Sequence, residues 1–129
     1  MCRRRLLATT LAATTLAMTA CSPAEFAREQ QPADRPKSVV DGAADQIDVT
    51  TLRHVGKADE YDIYLARGSE DHETLCLSLV VDDLWRATDC EWDYVSVPIS
   101  DTASVAASID YRGGEDREMI SDNVWITRK

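Results

Sequence analysis

The stretch from Glu73 to Glu91 limits what this chain can fold into more than any other part of it. Glu73 to Val81 is almost continuously apolar, Asp82-Asp83 interrupts the run, and Trp85 to Glu91 resumes it, with Cys76 and Cys90 on either side of the break. Short apolar runs bounded by turn residues read as buried strands, so the segment predicts a hairpin. With Asp82-Asp83-Leu84 as a three-residue loop, Val81 pairs with Trp85 and, counting outward, Cys76 faces Cys90. Directly opposed residues hold their Cβ atoms ~4.5–5.5 Å apart, near bonding distance for two sulfurs. Side chains alternate across a strand, so Leu75, Leu77, Leu79, Val81, Trp85 and Ala87 share one face. Cys76, Ser78, Val80, Thr88 and Cys90 share the other. A metal pair is the competing reading of the two cysteines. Against it stand the distant histidines and the lack of any CxxC spacing.

The same period of two recurs along the chain. Tyr61, Ile63 and Leu65 alternate with Asp62, Tyr64 and Ala66, and Thr51 to Val55 is the expected partner across a Gly56–Glu60 turn. Gly68 to His72 reads as the next turn. Val95, Val97 and Ile99 alternate, with Pro98 confining them to an edge or a loop. Val105 to Tyr111 alternates up to Gly113-Gly114, and Val124 to Thr127 closes the chain. The predicted class is mainly β: a small antiparallel sheet of five to six strands with one disulfide. A short helix over Pro36–Asp45, docking Val39 and Val40, is the one helical option.

The chain opens differently. Arg3, Arg4 and Arg5 precede an uncharged segment, Leu6 to Ala20, that is too short for a permanent span: fifteen helical residues reach about 22 Å against roughly 30 Å of hydrocarbon. A positive start followed by such a run has the form of an export signal. Its end, Ala17-Met18-Thr19-Ala20-Cys21, resembles the lipobox of bacterial lipoproteins, with Met18 in place of the usual leucine. That resemblance implies a diacylglycerol on the Cys21 thiol and cleavage in front of it. Arg3-Arg4-Arg5-Leu6-Leu7 also resembles a loose twin-arginine signal. The expected organisation is a signal peptide over 1–20, a lipidated flexible linker over 21–48 and a β-rich domain over 49–129. Pro23, Pro32 and Pro36 argue for an extended tether.

The three leader arginines leave 11 basic residues against 23 acids, a mature balance of −12. A polyanion repels phosphate backbones, so nucleic acid is not an expected partner. Repulsion from anionic lipid would hold the domain off the membrane on its tether. With Cys21 assigned to lipid, Cys76 and Cys90 are the even remainder expected to pair in an oxidising compartment.

Chemistry is sparse. His54 and His72 are the only histidines, and a small hydrolase or metal-assisted enzyme would need them to converge with nearby acids. Asp89, Glu91 and Asp93 fall on one strand face and could hold Ca²⁺, although no segment meets the EF-hand spacing. Trp92 and Tyr94 share parity with Cys90, on the other face, as candidate ligand-facing aromatics beside the disulfide; packing over the disulfide is the alternative. The leading expectation is a cell-envelope lipoprotein held to the outer face of the membrane through Cys21. It would present a non-enzymatic binding domain, without a cofactor, to a protein or small-molecule ligand. The enzyme and a Ca²⁺-dependent binding module are the alternatives.

Overall fold

The computed structural model describes residues 22–110 and 117–129. The leader and Cys21, and the expected positions of Tyr111 and Gly113-Gly114, lie outside the described residues. Strands β1 (Ile47–Ala58), β2 (Tyr61–Gly68), β3 (Thr74–Val81) and β4 (Leu84–Trp92) form one antiparallel sheet in chain order. Strands β5 (Tyr94–Pro98), β6 (Ala103–Ser108), β7 (Glu118–Ser121) and β8 (Val124–Arg128) form a second, in the order β5-β6-β8-β7. The class is mainly β, as expected, but the strands divide between two sheets of four. The division follows from two inner faces that need each other. Ile63, Leu65, Leu75, Leu77 and Leu79 of the first sheet pack against Val95, Val105, Ala107, Val124 and Ile126 of the second.

The first sheet also buries its outer face. There α1 (Lys37–Ala43) lays Val39 and Ala43 on Leu52, Tyr64, Ala66, Cys76 and Val80. Two-sided burial explains why β3 reads as a continuous apolar run and sits inside the sheet. Pro98 is on β5, an edge strand, where its missing N–H costs no ladder bond.

The central hairpin reaches the predicted cysteine register by a different route. Asp82 and Asp83 alone make the turn, at φ of 51° and 61°, so Val81 pairs with Leu84 and Val80 with Trp85. Positive φ at both central residues is the turn geometry whose twist matches a hairpin. A bulge at Arg86 then restores the count, so that Leu79 pairs with Ala87 and Cys76 with Cys90. The disulfide joins Cys76 and Cys90. The bulge corrects the placement of Trp85. Its indole packs in the outer cluster near α1, and its Nε1 donates to Thr88 Oγ1 at 2.9 Å.

The segment expected as a linker is folded over Ala24–Ala43. Two 3-10 turns (Ala24–Ala27 and Pro32–Asp34) run along the edge of β1, and α1 then crosses the outer face of the sheet toward β4. Gln30 donates to the Val49 and Leu52 carbonyls, and Arg28 donates to that of His54. These contacts occupy the outward acceptors of an edge strand, which would otherwise template association. The prolines that suggested a tether serve as turn residues: Pro32 begins a 3-10 turn and Pro36 precedes α1.

On the other side of the sandwich, β1 lies against β7. Gly56, at φ 150°, is where they meet; a Cβ there would stand 2.6 Å from Ile120 Cγ2. One end of the molecule gathers the start of β1, the β2–β3 turn, the β4–β5 bend and the Asp122-Asn123 turn. Backbone bonds tie these together, including Ile109 N to Asp93 O and Ser69 N to Gln46 O. The opposite end is closed by Arg128, which donates to Asp59 at 2.9 Å and to Glu118 at 2.9 Å.

Candidate binding face

Trp92 ends β4, Asp93 turns the chain at φ 71°, and Tyr94 begins β5. The two aromatics therefore flank the bend where the chain changes sheets. Trp92 is 64% exposed and Tyr94 53% exposed. Neither is buried over the disulfide. Tyr94 contacts the Trp125 ring at 6.1 Å, and Arg117 lies 4.8 Å over that same ring. Trp125 is buried on the outer face of the second sheet, opposite Ala106 and Met119 in register.

Asp89, Glu91 and Asp93 lead the chain into this bend, and Arg117 lies on its Trp125 side. Asp89 and Glu91 stand opposite Leu77 and Leu75, so they follow the inner-face alternation at an exposed edge. Inward-directed charge on an edge strand discourages sheet-to-sheet growth. Asp93 leaves the alternation because its backbone is turned, so the three carboxylates do not share the face expected of a Ca²⁺ site. Among the described residues no group of three or more potential ligands is placed to hold a metal ion. Beside Asp89 and Cys90 an open cleft of about 490 Å³ is lined by Gln46, Ser69, Thr74 and Thr88, and by the acids Asp45, Glu70, Asp71 and Asp89. Among the described residues no lysine or arginine lines it.

The histidines are not brought together. His54 Nε2 lies 3.0 Å from Asp62 Oδ1, with the Tyr64 ring edge-on at 5.1 Å. His72 Nε2 lies 3.3 Å from Asp48 Oδ2, toward the other end of β1. Thr50 donates to the Asp48 carboxylate and, with His72 nearby, holds its pKa below the ordinary carboxylate value. Tyr64 is shifted upward, first by burial and then by the charges of Asp62, Asp34 and Asp83. Among the described residues neither imidazole is hydrogen-bonded to a hydroxyl or a thiol, the contact that would make a nucleophile–base pair.

A further electrostatic feature, away from every candidate residue named above except His54, centres on Asp34. Asp34 is 2% exposed and accepts from Arg28 at 2.7 and 2.6 Å, from Gln31 N at 2.7 Å and from His54 N at 2.8 Å. Burial pushes its carboxyl up, but the Arg28 pair and the two backbone donors together outweigh that and hold it well below the usual range. This is a lock between the N-terminal segment and β1. Only Pro32-Ala33-Asp34, a proline beginning a turn that ends in an acid, hinted at it.

Comparison of the chain with protein-family models, with curated proteins and with solved structures gave no match.

Proposed function

We propose that this is an exported, lipid-anchored binding protein. It is held at the outer face of the cell membrane through Cys21 and presents the Trp92–Tyr94 bend with its acidic cleft to a protein partner rich in basic side chains. The observation that carries the reading is the pair of exposed aromatics at one backbone bend. Large rigid rings flanked by carboxylates can stack on guanidinium or ammonium groups while the acids pair with them. Aromatic residues dominate the energetic centres of protein interfaces, and a strongly negative surface speeds encounter with positive partners. The lipobox-like Ala20-Cys21 supports the anchor, and the Cys76–Cys90 disulfide suits an oxidising compartment.

Calorimetric titration with lysine- and arginine-rich peptides, against acidic peptides of equal length, tests the binding face. Basic peptides should bind and weaken with added salt. Trp92→Ala with Tyr94→Ala should cost about 2 kcal/mol of affinity, the size of an interface hot spot. Equal binding of both peptide classes, or none of either, would remove this reading. For the anchor, Cys21→Ala should release the protein from the membrane fraction; unchanged fractionation would defeat it.

A further inference from the structure

We infer that the domain has no stalk and stands directly on the bilayer by the end that carries Trp92. The inference rests on the lipid at Cys21 proposed above, and adds to it a fixed orientation. The fold begins within two residues of that cysteine. Pro23 is buried, Ala24 N donates to Asn123 Oδ1 at 3.1 Å, and Glu25 Oε1 accepts from Ser121 Oγ at 2.5 Å and from Asn123 N at 2.8 Å. Phe26 packs against the inner core with Arg67 stacked 4.9 Å above its ring. Ser22 accepts from Arg67 Nη2 at 2.7 Å and shares a pocket with Ile109 and Asn123.

Consecutive Cα atoms are about 3.8 Å apart, so a lipid on Cys21 is anchored beside Ser22 whatever path the leader took. Ser22 is at the end of the molecule that also holds the β4–β5 bend. Ile109, beside Ser22, donates through its N–H to Asp93 O, and Asp93 adjoins Trp92. That end therefore meets the headgroup layer, the depth that Trp and Tyr side chains favour. The Arg128 clamp and the Asp82-Asp83 turn point away from it. Repulsion between the acids and anionic lipid cannot lift the domain, because no free chain is left to extend. The partner of the proposed binding face is then one held at the same membrane surface.

The test is fluorescence quenching of the processed protein in phosphatidylcholine vesicles that carry a nitroxide-headgroup lipid. Wild type is compared with Trp92→Phe, which alters an exposed ring. A third protein carries a flexible Gly/Ser insert of about twenty residues between Ser22 and Pro23, long enough to restore a tether. Mass spectrometry first reports acylation. The expected result is loss of emission in wild type, little loss in Trp92→Phe, and recovery of emission in the insertion variant. An acylated wild type whose Trp92 is not quenched, or quenching unchanged by the insert, would overturn the placement and leave the anchor standing. An unacylated mass would overturn the anchor and the placement with it.

Discussion

Asp59, Asp82, Asp83 and Asp93 are the four non-glycine positions with positive φ among the described residues, and all are aspartates. A short polar side chain that bonds locally tolerates this region better than most, yet it still carries a steric cost that glycine lacks. Asp83→Gly should therefore raise stability by about 0.5 kcal/mol, read as an upward shift in melting temperature. Asp34 makes the opposite kind of prediction. Its folded pKa lies below the unfolded value of about 3.9, so its contribution is complete above that value and is lost as pH falls below it. In Asp34→Asn the acid limb of the stability profile should flatten, and neutral-pH stability should fall by about 1–3 kcal/mol, because an amide serves Arg28 and the two backbone donors less well than a carboxylate. An acid limb as steep as in wild type would refute the lock. Asp82-Asp83 was legible in the sequence, since the pair interrupts an apolar run; Asp93 was not, since alternation carries it along one strand face with Asp89 and Glu91. Asp34 was not, because its partners Arg28 and His54 join it only after the chain has folded back on β1.

At the scale of elements, the cysteine pairing was legible and the geometry behind it was not. A two-residue turn with a bulge and a three-residue loop without one lead to the same partner for Cys76, so counting could not separate them. They differ in where Trp85 points, and that difference organises the outer face. Gly42 on α1 lies so close to the indole that a Cβ would stand 2.5 Å from Trp85 Cε3. Gly42→Ala gains about 1 kcal/mol of helix propensity but overpacks a ring, at a cost of about 1–3 kcal/mol. Overpacking should win, and Gly42→Ala should lower the melting temperature. In a Trp85→Leu background the same change should become stabilising. The division into two sheets was illegible for a related reason. Alternation shows that a strand has an inner face, not which other strand covers it. Strand β7 is four residues long and partly exposed, too short to show a pattern at all. The short helix expected over Pro36–Asp45 is present as Lys37–Ala43, but it docks Val39 and Ala43 rather than Val39 and Val40, because residues four apart share a helix face and neighbours do not.

At the scale of the molecule, a tethered domain and a seated one differ in what residues 22–46 do. Amide hydrogen exchange separates them. The N–H groups of Phe26, Asp34, Arg35 and His54 are bonded to Pro23 O, Gln31 O, Pro32 O and Asp34 Oδ1, so they should exchange far more slowly than free chain. Random-coil rates across 22–36 would show a tether after all. Proline-rich composition does not separate a tether from a docked segment, because prolines serve linkers and turns alike, and only the distant acceptors on β1 and the Asp122-Asn123 turn decide between them. Those acceptors have a consequence in time. Glu25 meets Ser121 and Asn123 across 96 and 98 positions of sequence. A chain that leaves a ribosome or a translocation pore from its amino end cannot make these bonds until nearly all of it has emerged. Throughout that passage the segment that begins at Ser22 stays undocked; under the proposed anchoring, that is the window in which Cys21 would be trimmed and acylated, and the final hairpin is what shuts it.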